Sequence, residues 1–322
     1  MSKKGRLARR VRKKVRRQEL EKRNRKKVAR QYRRKNKDGD TYGGIESGPH
    51  KPLVPFKKSD RVLLVGEGDF SFALSVVEMG YIQPENLIAT SFDTMEELNE
   101  KYPGVAEENI IKLQNLNVTK IYHGVDCTNL IKTLKLSENP KKVGKNKHML
   151  GGLMLDLIMF NFPHVGKGIK DHDRNIRANQ ELIVNYFKNG RQLYDLLRSN
   201  RRAEIGDAKG KGHPKITKEN FSTERIGVSM FSGEPYDSWE VKELARYAIG
   251  YQVARSGTFD WETFKGYHHR KTASMHDTTK VASERKARIF VFQSPNIPIL
   301  LEKLMTDARQ EDDSDDDFSD TD

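Results

Sequence analysis

The feature that most restricts the fold of this chain is a series of short apolar runs, each ending at a glycine or a polar side chain. Residues 61–65, 87–92, 120–125 and 153–160 form the runs, and the residues that follow them are Gly66, Asp93, Asp126 and Asn161. The segments between them carry apolar residues three or four apart, which is typical of helices. Apolar strands separated by helices predict a parallel sheet covered on both faces. Ligands of such sheets bind beyond the carboxyl ends of the strands.

The second half of the chain continues the same sheet. Residues 225–231, 251–257 and 288–292 predict three more strands, and residues 239–249 predict a helix. A late pair of strands suits an antiparallel edge, so we expect an α/β fold with a mostly parallel seven-stranded sheet. The polar, Lys- and Gly-rich segment near residues 199–224 is expected to be an insertion.

Charge divides the chain into regions. Residues 1–37 contain 20 Lys and Arg and two acids, residues 310–322 contain eight acids and no base, and the net charge of +14 leaves the remainder at +4. We expect a basic arm at 1–37 that is disordered or conditionally helical, a linker at 38–58, a folded domain at 59–309 and a disordered acidic tail at 310–322. The arm fits a nuclear or nucleolar address and equally an RNA-binding segment, since both depend on charge density.

Cysteine content and hydropathy exclude several classes. One cysteine, Cys127, cannot form an internal disulfide or a Cys-rich zinc site, which favours a reducing, intracellular compartment. No run of 18 apolar residues predicts a membrane span, and no apolar stretch follows the first charges as in a secretory signal. We expect a monomer that does not contact a membrane.

The turn after the first strand indicates a cationic ligand. Gly66 and Gly68 allow a tight turn that a ligand can approach, but Phe70 stands near the place of a third glycine. Glu67 and Asp69 disfavour a phosphate, since like charges would meet. This weakens the hypothesis that the chain is a nucleotide-dependent oxidoreductase. S-adenosylmethionine fits, because it carries a sulfonium and an amino group and no phosphate. A plain structural turn is the alternative.

Two further carboxylates follow later strands. Asp93 can accept hydrogen bonds from both ribose hydroxyls, or it can cap the helix that begins at Thr94. Asp126 can bind an adenine amino group, or it can cap a helix that begins at Thr128. Either residue alone is more often a cap, but in register after the glycine turn they support one another as cofactor ligands.

Three later motifs suit a nucleic-acid base. Residues 161–164 form a turn in which the Asn161 amide and a backbone carbonyl can meet a base edge while His164 stacks on its face; a surface turn is the alternative. Residues 233–239 and 266–272 interleave aromatic rings with charges, which suits stacking and phosphate contact, although Trp239 also suits burial. The predicted substrate contacts are Phe162, Pro163, Tyr236, His268, His269 and Arg270.

Five motifs in order, at residues 66–73, 161–166, 175–187, 233–239 and 267–272, resemble the eukaryotic large-subunit ribosomal RNA (uridine-N3) methyltransferase family. The resemblance spans residues 59–292. It implies a Rossmann-like class I methyltransferase that uses S-adenosylmethionine and modifies ribosomal RNA in pre-ribosomal particles of the nucleolus. It also implies that Gly66, Glu67 and Gly68 surround the methionine part of the cofactor, that Asp93 holds the ribose and Asp126 the adenine, and that residues 161–164 line the target base.

The chemistry agrees with this reading. Methyl transfer from a sulfonium is an in-line displacement that needs alignment and no metal. Uridine N3 lies on the pairing edge, so the base must be unpaired or flipped out, and its proton must leave. His164 and Asn161 are the expected catalytic residues, with His164 the candidate base at neutral pH. Asp156 is a weaker candidate, since it begins the strand. A catalytically inactive RNA-binding assembly factor is the alternative function.

Overall fold

The computed structural model describes residues 53–136, 154–166, 168–208, 222–270 and 282–297. By its internal contacts the chain divides into two units, Met1–Glu46 and Ser47–Asp322, and every described residue belongs to the second. The basic arm at 1–37, the acidic tail at 310–322, most of the linker and residues 209–221 of the expected insertion lie outside the described residues.

Strands and helices alternate along most of the described chain. The strands are β1 (Val62–Val65), β2 (Leu87–Thr90), β3 (Lys120–Tyr122), β4 (Leu157–Asn161), β5 (Arg225–Phe231), β6 (Gln252–Thr258) and β7 (Ala287–Gln293). The helices are α1 (Ser71–Glu78), α2 (Met95–Lys101), α3 (Val105–Asn115), α4 (Leu130–Thr133), α5 (His172–Ala208) and α6 (Val241–Ile249). Short 3₁₀ turns occupy Pro84–Asn86, Asp237–Trp239, Trp261–Phe264 and Ala282–Glu284.

The described strands form one seven-stranded sheet in the order β3-β2-β1-β4-β5-β7-β6. Strands β1 to β5 pair in parallel, whereas β7 runs antiparallel to β5 and β6. The predicted mostly parallel sheet with an antiparallel edge is therefore confirmed. The chain order reverses between β1 and β4, where Val65 pairs with Phe160. This switch point is where an open parallel sheet binds its ligands, because the neighbouring loops leave in opposite directions.

Alternate residues of the buried strands pack on opposite faces, and each face has its own core. In β1, Val62 and Leu64 face a core built with α1, α2 and α3. Leu63 and Val65 face a second core built with α4, α5 and α6. All four side chains are at most 1% exposed, as expected for a central parallel strand covered on both sides.

The packed region begins earlier than the predicted boundary at residue 59. Leu53 and Phe56 lie in the sheet core, and a Cβ added to Gly257 of β6 would lie 2.8 Å from the Leu53 Cβ. The end of the predicted linker therefore belongs to the domain. The expected insertion near 199–224 also begins as regular structure, because α5 continues to Ala208.

Asp156 lies at the amino end of β4, on the edge of the sheet away from the switch point. Its carboxylate accepts two bonds from the Arg61 guanidinium, at 2.7 and 3.0 Å, and another from the Thr223 backbone N–H at 3.3 Å. This pairing ties β4 to its neighbours, so Asp156 stabilises the fold and cannot serve as a base at the other edge.

Candidate active site

The turn at residues 66–70, called the glycine turn below, connects β1 to α1. Gly66 has a φ of +71°, and a Cβ there would lie 2.4 Å from Cε2 of Phe160, so both backbone and packing require glycine. At Gly68 the three atoms nearest to an added Cβ all belong to Tyr102, and the nearest of them, Oη at 3.4 Å, is an ordinary contact. The packing of the protein therefore requires glycine at 66 but not at 68.

Glu67 lies buried inside this turn. Its Oε2 accepts a hydrogen bond from the Ala73 backbone N–H at 3.1 Å. Burial, with a smaller contribution from the nearby Asp69 carboxylate, raises the pKa of Glu67 to about 8. The same side chain would ionise readily beside a bound cation, because an opposite charge favours the carboxylate.

Asp69 uses both carboxylate oxygens within the protein. Oδ1 accepts from the Ser71 backbone N–H at 3.0 Å, and Oδ2 accepts from the Arg270 Nε at 2.7 Å. The Asn109 amide also donates to the Asp69 backbone carbonyl at 2.8 Å. Asp69 therefore fixes the shape of the glycine turn and joins it to Arg270, which lies 201 positions later in the chain.

Asp93, after β2, is not a helix cap. Thr94 caps α2 in a capping box, in which its side chain accepts from the Glu97 N–H while the Glu97 carboxylate accepts from the Thr94 N–H. The Asp93 carboxylate instead pairs with Lys101 Nζ at 2.6 Å and is 16% exposed. The cap alternative is excluded, and the carboxylate is accessible at the carboxyl edge of the sheet.

Asp126 lies four residues beyond the end of β3. Its Oδ1 accepts from both the backbone N–H and the hydroxyl of Thr128, each at 2.7 Å. This bonding shapes the turn before α4, whose N-cap residue is Asn129. Asp126 thus holds a turn rather than capping the helix, and its adenine-binding role stays a prediction.

Asn161 ends β4 beside the glycine turn, since the residues before each, Phe160 and Val65, pair directly. The Ser229 hydroxyl of β5 donates to the Asn161 Oδ1 at 2.8 Å. The Asn161 Nδ2 is buried and has no hydrogen-bond partner among the residues that the structure describes. An unpaired buried donor is costly, and such atoms in native structures are often associated with ligand sites.

Phe162, with a φ of +50°, turns its ring into an aromatic cluster. Its ring centroid lies 4.6 Å from that of Phe231, 4.8 Å from His269 and 5.5 Å from Trp261, which is stacked on it. Phe162 and Pro163 are both buried. Both residues are therefore packed within the protein, and their predicted contact with a base stays a prediction.

His164 is partly buried. Burial lowers the pKa of its imidazole below the ordinary value. The Gly166 backbone N–H donates to Nδ1 at 2.9 Å, so the neutral ring carries its proton on Nε2. The ring centroid lies 6.3 Å from that of Trp239. His164 therefore offers a donor, Nε2–H, to its surroundings.

The two aromatic motifs of the second half converge on this cluster. The Tyr236 ring centroid lies 5.5 Å from that of Phe231 and 4.9 Å from that of Trp239. Trp239 is buried, which agrees with the expectation that this residue suits burial. His268 is exposed, and its backbone N–H donates to the Ser71 hydroxyl at 3.0 Å. The structure thus brings every predicted site residue to the carboxyl edge of the sheet.

Sequence reasoning missed Arg285. Its guanidinium lies 3.6 Å from the ring centroid of Phe231 and 5.2 Å from that of Tyr236, and it pairs with no carboxylate among the described residues. The residue stands far from either aromatic motif in the sequence. Only the antiparallel pairing of β7 with β5, which sets Ala287 opposite Phe231, brings it here.

Comparison with known proteins identifies the family. Residues 63–271 match the model of the BMT5-like family, described as rRNA (uridine-N3-)-methyltransferase BTM5-like. The chain belongs to this family. The 25S rRNA (uridine(2634)-N(3))-methyltransferase of Saccharomyces cerevisiae is 45% identical over 253 residues, covering 74% of each chain. The predicted family and enzyme class are therefore confirmed.

More distant relatives differ in name. The heavy metal-associated isoprenylated plant protein 41 of Arabidopsis thaliana is 27% identical over 217 residues, covering 67% of this chain and 34% of its own length. The crystal structure of Streptococcus pneumoniae Sp1610, a putative tRNA (m1A22) methyltransferase, aligns over 82% of this chain and 85% of its own, with 9% identity and a TM-score of 0.31. Within the described part of this methyltransferase, no helix is long and apolar enough to cross a membrane.

Proposed function

We propose that this chain transfers a methyl group from S-adenosylmethionine to N3 of a uridine in large-subunit ribosomal RNA. The observation that carries the proposal is the meeting of two turns at the switch point of the sheet. The acidic glycine turn follows β1, and residues 161–164 follow the adjacent β4. Membership of the rRNA (uridine-N3-)-methyltransferase family supports both the reaction and the target.

The residues of the first turn fit S-adenosylmethionine. When bound, this cofactor supplies an electrophilic methyl group on a sulfonium. Glu67 would face its positive charges, Asp93 its ribose hydroxyls and Asp126 its adenine, since these carboxylates stand on three successive strand ends along one edge. The protein's own packing does not require glycine at position 68, so the missing side chain leaves space for a ligand. A phosphate would supply no positive charge to these side chains, and any of them that is ionised would repel it.

The second turn fits a flipped uracil. Losing the N3 proton spreads negative charge over the two carbonyl oxygens of the ring, so donors at those oxygens favour the reactive form. His164 offers Nε2–H, since Gly166 occupies Nδ1. The N3 proton would pass to solvent, because the one His164 nitrogen that carries no proton, Nδ1, already accepts from the Gly166 N–H. His164 could accept that proton at Nε2 only as its other tautomer, with its own proton on Nδ1. That tautomer would lose the hydrogen bond from the Gly166 N–H.

The RNA beyond the target base would bind an adjacent face. Exposed His268, the partly exposed His269 and Tyr236, and the Arg285 guanidinium combine cations with rings, as single-strand binding requires. The basic arm at 1–37 would add non-specific affinity for rRNA and an address to the nucleolus. We expect the enzyme to act as a monomer on pre-ribosomal particles.

Cofactor binding tests the proposal directly. Calorimetric titration with S-adenosylmethionine should give saturable binding to the wild-type protein and none detectable to Asp93→Ala. Lys101→Ala is the matched control, since it breaks the same ion pair but keeps the carboxylate, and it should bind nearly as the wild type does. Wild-type protein that binds rRNA but not the cofactor would favour an inactive assembly factor instead.

A further inference from the structure

Residues 261–270 lie across the glycine turn and the start of α1. The ring centroid of Phe72 is 5.1 Å from that of Phe264 and 5.4 Å from that of Tyr267. The Ser71 hydroxyl accepts from the His268 backbone N–H at 3.0 Å and donates to the His268 carbonyl at 3.3 Å. One side of the glycine turn is therefore covered by the segment that carries the predicted RNA contacts.

An ion pair completes this attachment. Arg270 Nε lies 2.7 Å from Asp69 Oδ2, and the two side chains are 25% and 3% exposed. Asp69 is nearly as buried as the sheet core, so losing its cation would leave a buried charge without compensation. The four residues that make these contacts, Asp69, Ser71, His268 and Arg270, are called the clasp below.

Within the clasp, the Arg270 guanidinium pairs with the Asp69 carboxylate rather than with an RNA phosphate. Asp69 directly follows Gly68, and its Oδ1 holds the first backbone N–H of α1. A shift of Asp69 would therefore move both Gly68 and the buried Glu67 that precedes it. The orientation of these groups decides how well the turn accepts a cationic ligand.

We infer that Arg270 is a positioning residue for the glycine turn, acting through Asp69, and that the clasp links cofactor binding to the RNA-binding segment. This inference rests on the proposed function. Because binding free energies are reciprocal, a cofactor that tightens the turn also favours the clasped arrangement of residues 266–270. Arg270 then contributes to cofactor affinity, whereas His268 and Arg285 contribute to RNA affinity.

The test compares Arg270→Gln with Arg285→Gln in the full-length protein. The affinity for S-adenosylmethionine is measured by calorimetry, and the affinity for an rRNA fragment by fluorescence anisotropy over a series of salt concentrations. We expect Arg270→Gln to weaken cofactor binding about tenfold or more and to leave the slope of log affinity against log salt unchanged. Arg285→Gln should lower that slope by about 1 and leave cofactor binding unchanged.

A double-mutant cycle shows whether Arg270 acts through Asp69. In an Asp69→Asn background no buried charge is left unpaired, so the double variant should fold even where Arg270→Gln alone does not. We expect Arg270→Gln to have no further effect on cofactor affinity in that background. An undiminished effect there, or a lower salt slope with unchanged cofactor affinity, would overturn the inference. Absence of cofactor binding by the wild type would instead overturn the proposed function.

Discussion

Glu67 makes the stability of this protein depend on pH in a direction opposite to that of most carboxylates. Burial raises its pKa from 4.5 to about 8. Between these two values the folded chain holds a proton that the unfolded chain has released. The free energy of unfolding therefore falls as pH rises through this window. Glu67→Gln removes the titration and keeps an acceptor for the Ala73 N–H.

The size of the effect follows from the same two pKa values. Their difference is about 3.5, and each pKa unit corresponds to about 1.4 kcal/mol. Integrated from about pH 5 to about pH 8, the Glu67 carboxyl alone lowers the free energy of unfolding by roughly 3–4 kcal/mol. Glu67→Gln lacks this contribution. The free energy of unfolding of the wild type, relative to that of Glu67→Gln, should therefore fall by this amount across the range.

Urea unfolding at several pH values measures this difference. Glu100→Gln is the matched control, since Glu100 is exposed on α2, and its curve should run parallel to that of the wild type. Parallel curves for wild type and Glu67→Gln would refute the reasoning. The cofactor gives a second readout, because a cation beside Glu67 should expel its proton. At neutral pH the wild type should release about one proton more than Glu67→Gln on binding, seen in calorimetry with buffers of different ionisation enthalpy.

Three further predictions follow from particular residues. Gly66→Ala should lower the free energy of unfolding by about 1–3 kcal/mol in chemical denaturation, because of its positive φ and the nearby Phe160 ring; wild-type stability would contradict this. His164→Phe should lower kcat about tenfold to a hundredfold with little change in the Kd of the cofactor. A rise in that Kd as large as the fall in kcat would instead place His164 in the cofactor site. Deleting residues 1–37 should flatten the salt dependence of RNA binding, and an unchanged slope would show that the arm does not touch RNA.

The sheet and its carboxyl edge were predictable because each strand is short, apolar and followed by a polar or glycine residue. The parallel pairing then places Gly66 beside Asn161 without further information. The boundary at residue 59 was less predictable. Leu53 and Phe56 stand among prolines and lysines that are typical of a linker. Only tertiary packing into the sheet core explains their burial, with Leu53 lying against Gly257 of β6.

Partners across long sequence distances were the part that pattern reasoning could not supply. Arg270 belongs to a His-His-Arg-Lys run that resembles an RNA contact, yet its guanidinium pairs with a buried carboxylate on another element. Arg285 has no motif around it and reaches the site only through the register of β7. Spacing along the sequence reports which face or edge a residue occupies, but not which side chain it meets there.

The most direct test of the central claim is nucleoside analysis after a reaction in vitro. Purified protein, S-adenosylmethionine and unmodified large-subunit rRNA are incubated, and the digested RNA is examined by mass spectrometry. We predict that 3-methyluridine appears with the wild type and Lys101→Ala and is absent with Asp93→Ala. A methyl group on another nucleoside, or no methylation by wild-type protein that binds both ligands, would contradict the account.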